Sequence, residues 1–217
     1  MNLEQARSNM VEQQIRPWEV LDQEVLDLLY VVPREEFVPE KHRALAFSDL
    51  EIPIGDGERM WQPKMEARVL QELGVRRTDR VLEVGTGSGY LSALLAHRAA
   101  QVCSVEIKPG LAELGRGNLE RHGSENVTLE LGDAARGWPR HAPYDVIVLT
   151  GSTPVLPRAL LEQLAPGGRL FAVVGEAPIM AARLVECGPA NAFHDTILFE
   201  TVIAPLVNCE QLPRFRF

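Results

Sequence analysis

The stretch RVLEVGTGSGYLSALLAHRA, residues 80–99, limits the fold more than any other part of the chain. RVLEVG is a short apolar run with strand character, SGYLSALLAHRA has helical spacing, and Gly85, Gly87 and Gly89 stand at every second position across the junction. A buried strand that passes through so bare a turn into a helix belongs to an open α/β sheet. There, parallel strands are joined by right-handed helical crossovers and ligands bind beyond the strand carboxyl ends.

The neighbouring sequence repeats the alternation. MEARVLQELGV reads as a helix closed by Gly74; QVCSVE, VTLELGD, YDVIVLTG and RLFAVVG read as strands, with helices at KPGLAELGRGNLERHG and PRALLEQLAPGG between them. The tail, LVECGPANAFHDTILFETVIAPLV, reads as two or more further strands, and GEAPIMAARL at 175–184 as the loop after the fifth strand. Upstream, residues 3–15 and 20–31 carry apolar side chains at helical spacing, with Pro17 and Pro33 as breaks. Residues 33–63 hold Pro33, Pro39, Pro53, Gly55 and Gly57, which predicts an irregular segment lying over the fold, the kind of long connection that often serves as a lid. The expected organisation is one domain over 1–217, with residues 1–63 as helical arm and lid and residues 64–217 as core.

Composition narrows the function classes. A net charge of −8 opposes binding to a phosphate backbone, since that affinity rests on basic side chains, so no nucleic-acid partner is expected. No apolar run approaches a membrane span, and the first turns carry charges where a secretory leader would be apolar; neither a membrane nor export is expected, and the cytoplasm is the expected compartment. Cys103, Cys187 and Cys209 are odd in number and widely spaced, which reads as buried reduced thiols. The five histidines lack metal-ligand spacing, so no metal is expected.

The glycine turn fits a ligand that approaches the backbone, although a tight turn without ligand uses the same residues. Its spacing departs from the dinucleotide fingerprint, because Tyr90 stands where the third glycine would be, and no Gly-Lys-Ser/Thr follows to make a phosphate loop. Glu106, roughly 20 residues beyond the first glycine, ends a strand where a carboxylate can accept from both ribose hydroxyls. Asp133 lies in LGDA beside the same crevice, placed to meet a purine edge, though either acid alone could be a cap or a solvated charge. Together they outline an adenosine site without phosphates, which points to S-adenosylmethionine.

ExGxGxGY at 83–90, SVE at 104–106, GD at 132–133 and LAPGGRL at 164–170 resemble the class I S-adenosylmethionine-dependent methyltransferases. FVP at 37–39, QPKMEARVL at 62–70, APYDVIVLT at 142–150 and APLV at 204–207 make the chain similar, more narrowly, to the protein-L-isoaspartate O-methyltransferase family. The resemblance implies a Rossmann-like, seven-stranded, mainly parallel α/β sheet with one antiparallel edge strand, helices on both faces and an N-terminal helical arm. It places Glu83 and the three glycines at the methionine half of the cofactor, Glu106 at the ribose, and Asp133 with Ala134 at the adenine. Thr86, Ser88, Tyr90, Ile107 and Thr150 complete the candidate cofactor residues. S-adenosylhomocysteine is the implied product, and isoaspartyl residues of damaged proteins are the implied acceptors; the oligomeric state is left open.

The acceptor half departs from the family pattern. Where the family has Thr-Ile-Ser before its Gln-Pro step, this chain has Arg59, Met60 and Trp61 before Gln62. Gly151-Ser152-Thr153-Pro154 replaces an alanine-rich stretch, and the loop at 175–184 lacks the family's glutamine. Losing a hydroxyl that bonds a carboxylate costs about 1.5–3 kcal/mol, or roughly 10- to 100-fold. Arg59 brings a charge that can hold a carboxylate bidentately, and Trp61 brings an N–H and a stacking face. Arg59, Trp61 and Gln62 are thus the candidate acceptor residues. The open alternatives are a different carboxylate, an aromatic small-molecule acceptor, a cofactor-binding protein without turnover and, more remotely, an NAD oxidoreductase.

Overall fold

A computed structural model describes residues 2–211. Its core is a seven-stranded sheet built from β3 (Arg80–Val84), β4 (Gln101–Glu106), β5 (Val127–Leu131), β6 (Tyr144–Leu149), β7 (Leu164–Glu176), β8 (Ile179–Cys187) and β9 (Phe193–Glu200), in the order β5-β4-β3-β6-β7-β8-β9. β5 through β7 are parallel, while β7–β8 and β8–β9 pair antiparallel. The antiparallel edge expected from the sequence is therefore a meander in which β8 is the reversed strand and β9 forms the rim.

The helices are α1 (Leu3–Met10), α2 (Gln23–Val31), α3 (Pro63–Leu73), α4 (Tyr90–Arg98), α5 (Pro109–His122) and α6 (Arg158–Leu161). Alternation along the strands divides the core in two. Val81, Val102, Val146, Val148, Phe171 and Val173 face one cluster, shared with the N-terminal arm and α3, α4 and α5. Leu82, Val84, Cys103, Val105, Ile147 and Leu149 face the other, which includes Leu160 of α6. From β3 the sheet grows through β4 and β5 in one direction and through β6 and β7 in the other, so right-handed crossovers place their helices on opposite faces and a crevice opens where β3 and β6 adjoin.

Three segments differ from the sequence expectation. The helix expected over PRALLEQLAPGG is one turn long, and the chain is already extended at Leu164, which pairs with Tyr144. Pro166 has no N–H to continue a helix, and Tyr144 N donates instead to the Gln163 carbonyl (2.9 Å). The loop expected at 175–184 is mostly strand: Met180 and Ala182 turn alternately into the core, and the reversal is confined to the residues before Ile179. Gly175 makes that reversal possible, with φ +131° and a carbonyl where a side chain would sit. The irregular segment 33–63 contains a two-stranded hairpin, β1 (Ile52–Gly55) and β2 (Glu58–Met60), in addition to short 3₁₀ turns. In the arm, α1 passes through a wider π turn at Val11–Ile15, where Val11 and Ile15 are buried. Among the described residues, no helix is long and apolar enough to cross a membrane.

Candidate active site

A cavity of about 350 Å³ opens at the carboxyl ends of β3, β4 and β6 and is closed from the other side by the β1–β2 hairpin and the start of α3. Glu83 forms part of its floor. It is fully buried, and one carboxylate oxygen, Oε2, accepts from both Ser92 and Ser104 (2.6 Å for the latter). The other, Oε1, has no hydrogen-bond partner among the described residues. Burial pushes the carboxyl up to about 7, against the opposing effect of the two serines, with the neighbouring charge of Glu106 adding to the rise.

The turn above it packs closely against Thr150, just beyond β6. Gly85 has φ +98°, and a Cβ there would lie 2.2 Å from Thr150 Oγ1; that hydroxyl is within 2.9 Å of the carbonyls of Val84 and Gly85. Glu106 ends β4 with one oxygen accepting from Gly87 N (3.0 Å) and the other from Lys108 N (3.0 Å). Glu106 thus fixes the turn while lining the cavity.

Of the residues singled out in the sequence, Glu83, Gly85, Thr86, Gly87, Ser88, Glu106, Ile107, Thr150, Arg59 and Trp61 lie on the wall. Gly89, Tyr90, Asp133, Ala134 and Gln62 are not among its lining residues. Tyr90 opens α4 but turns away into the arm, 5.4 Å from the Phe37 ring and under the Arg34 guanidinium. Asp133 accepts from Ala135 N (3.0 Å) and from the Asn208 amide (2.9 Å), and Ala134 is buried in the second core cluster. Gln62 occupies the N-cap position of α3.

The structure adds residues that the sequence reading passed over. Ser92 and Ser104 orient Glu83, and each is a fully buried small polar residue flanked by apolar neighbours in sequence, which is the signal that could have found them. Glu66, 3% exposed, lines the cavity and pairs with Arg34, which is 1% exposed. Two basic side chains line the wall. Lys108 is held by Glu58 and the Asp56 carbonyl, whereas Arg59 has no ion pair among the described residues.

On the far side of the sheet, Cys103, Glu130 and His141 bring donor atoms within 4.8 Å of one another, so His141 stands closer to metal-ligand geometry than its spacing implied. Glu130 is already shared by Arg140 and His141, and the guanidinium opposes a cation there.

The family description Protein-L-isoaspartate(D-aspartate) O-methyltransferase matches residues 5–210. The chain belongs to that family. It is accordingly an S-adenosylmethionine-dependent O-methyltransferase. Among its relatives, the protein-L-isoaspartate O-methyltransferase of Methanoculleus marisnigri is 46% identical over 169 residues, 78% of this chain and 77% of that protein. Protein-L-isoaspartate O-methyltransferase 1 of Syntrophobacter fumaroxidans is 40% identical over 91% of this chain and 92% of its own length. A solved protein-L-isoaspartate O-methyltransferase superposes with TM-score 0.81 at 26% identity, over 93% of this chain and 66% of that one. The Plasmodium falciparum protein titled a putative member, solved with S-adenosyl-L-homocysteine, shares the fold at TM-score 0.80 and 20% identity, over 95% of this chain and 99% of that one.

Proposed function

We propose that this methyltransferase acts on the carboxylate of isoaspartyl residues in damaged proteins, and that Arg59, beside Trp61, receives that carboxylate. The observation that carries the acceptor reading is the pairing of charges: of the two cations on the wall, Lys108 is engaged and Arg59 is free of ion pairs among the described residues. A free guanidinium at a cavity mouth offers a planar fork that matches a carboxylate.

The residues present fit the cofactor. The unpartnered Oε1 of Glu83 suits its amino group, and Glu106, on the wall, suits its ribose hydroxyls. Asp133 and Ala134, off the wall, would meet the adenine only beyond the present boundary of the cavity.

When bound, the cofactor supplies a methyl group activated by a sulfonium centre. An acceptor carboxylate is already ionised near neutral pH, so no side chain need act as general base. What remains for the chain is alignment and exclusion of water. Arg59 would hold the carboxylate, and Trp61, 8% exposed with its ring 6.4 Å from that of Phe171, would wall off solvent. The neighbouring backbone amide nitrogen can then attack the ester carbonyl and expel methanol, closing a succinimide, the first step of repair. The free cysteines support a reducing, cytoplasmic setting.

The test is transfer of labelled methyl to an isoaspartyl peptide and to its normal aspartyl twin, with cofactor binding followed by calorimetry. Base-labile label on the isoaspartyl peptide alone is the expected result. Trp61 on the wall favours one second reading, an aromatic small-molecule acceptor stacked on the indole. Cofactor binding with no label on the isoaspartyl peptide overturns the first reading; label on an aromatic acid in its place establishes the second.

A further inference from the structure

We propose that Arg34 is a positioning residue that fixes the acceptor wall against the turn that carries the cofactor. The kinetic part of this claim rests on the acceptor reading above.

Arg34 is the largest of the fully buried side chains among the described residues, 1% exposed, although it sits in a 3₁₀ turn of the arm and is not on the wall of the cavity described above. Its guanidinium reaches four segments. Nη1 donates to the Glu66 carboxylate, Nη2 to the Trp61 carbonyl, and Nε to the Ala46 carbonyl at 3.0 Å. Its central carbon lies 5.2 Å from the centroid of the Tyr90 ring. Trp61 and Glu66 are both on the cavity wall, and Tyr90 opens α4 directly behind Gly89. One side chain therefore ties the two acceptor-side residues to the helix that follows the glycine turn.

Filling this volume does not require a charge. Replacing a buried ion pair by apolar residues of similar size is often neutral or stabilising, so stability alone does not account for an arginine here. A guanidinium differs from an apolar chain in its rigid planar fork, which serves several acceptors in fixed relative positions. A lysine could neutralise Glu66, but as a point charge on a flexible stem it does not hold the carbonyls of Ala46 and Trp61 together with the carboxylate. Arg34 is thereby suited to setting where the Trp61 backbone, and with it the indole, stands relative to the transferred methyl group.

Arg34→Lys tests this, with the paired change Arg34→Met/Glu66→Gln as a charge-free second variant should the lysine fail to fold. Steady-state kinetics with an isoaspartyl peptide are expected to give an acceptor KM raised about 10-fold or more, while the cofactor Kd stays within about threefold of the parent. A readout independent of turnover is acrylamide quenching of Trp61 in a Trp18→Phe/Trp138→Phe background, where Arg34→Lys is expected to raise the quenching constant. A folded variant with acceptor KM within about twofold of the parent, or with cofactor and acceptor affinity lost in parallel, overturns the proposal. Should the parent enzyme leave isoaspartyl peptides unmethylated, the acceptor reading fails by itself. The quenching result then decides, and an unchanged constant overturns the role of Arg34.

Discussion

Glu83→Gln removes the titrating carboxyl at the floor of the site. The carboxyl is raised from 4.5 to about 7 by burial, so the folded chain holds a proton that the unfolded chain has already released. Between those values the native state binds more protons than the unfolded state, and stability falls as pH rises; below 4.5 the group costs nothing, and above about 7 the cost is complete. Integrated from about pH 5 to about pH 8, a shift of this size removes roughly 2–3 kcal/mol from the unliganded protein. The amide that replaces the carboxyl does not titrate, and its carbonyl can still accept from Ser92 and Ser104. The difference in stability, variant minus parent, is therefore expected to move in favour of the variant by that amount over the range, or by about 5–10 °C in Tm for a chain of this length. Taking the difference cancels every other titrating group common to both proteins. Thermal and urea unfolding of the two, without cofactor, supply the measurement. Parallel stability profiles for parent and variant would refute the reasoning, since they would mean that Glu83 ionises in the fold as readily as in the unfolded chain. Calorimetry gives a second check: a cationic amino group favours the ionised carboxylate, so affinity in the parent is expected to fall by up to about tenfold per pH unit below about pH 7 and to lose that dependence in the variant.

Gly85→Ala should cost about 2 kcal/mol or more and abolish measurable cofactor binding, because a Cβ there meets Thr150 Oγ1 at 2.2 Å with φ at +98°; urea unfolding and calorimetry read the two effects separately. Glu106→Ala, which releases the N–H groups of Gly87 and Lys108, is expected to weaken cofactor binding about 10- to 100-fold, while Cys103→Ser on the far face stays within about threefold. Equal effects of those two substitutions would undo the assignment of Glu106 to the ribose. Arg59→Ala should raise the KM for an isoaspartyl peptide by roughly 10- to 100-fold and leave the cofactor Kd unchanged, as measured by initial rates and calorimetry.

The elements legible in the sequence were those whose signals are local. QVCSVE coincides with β4, and Gly74 and Gly123 close their helices in the left-handed conformation. RLFAVVG falls within β7, but the boundary between α6 and β7 is not legible because Leu160 and Leu164 stand at helical spacing, and only the contact of Tyr144 with Gln163 and Leu164 decides that the second of them is extended. The site divides in the same way. Its glycines and Glu106 follow from a strand-turn-helix pattern, whereas the open oxygen of Glu83 depends on two serines brought from α4 and β4. Nothing near Arg34 in the sequence announces a buried guanidinium. Tyr90 borders the glycine turn in sequence, yet the first turn of α4 carries it towards Phe37 and away from the cavity.

This division gives a physical reason why one half of the site can diverge while the other is kept. The wall proposed for the cofactor is the ends of β3, β4 and β6, where the backbone entering the turn is held by the sheet, Gly85 N by the Val105 carbonyl (2.8 Å) and Thr150 N by the Val84 carbonyl (3.0 Å), and Gly87 N by the Glu106 side chain. A change there disturbs strand pairing as well as ligand contact. The wall proposed for the acceptor, at Arg59, Met60 and Trp61, comes instead from a short hairpin outside the main sheet, packed on the core through Ile52, Ile54, Met60 and Trp61 and tied by Lys108–Glu58 and by Arg34. Arg59, exposed on that hairpin, can therefore be exchanged without moving the main strands, whereas Met60 and Trp61 also pack in the core. A chain matching its family over 5–210 can thus carry a guanidinium and an indole at Arg59 and Trp61, provided that the hairpin keeps its anchors. On the proposed assignment, cofactor affinity and acceptor choice are set by different elements, and substitution of Arg59 should move the second while leaving the first in place.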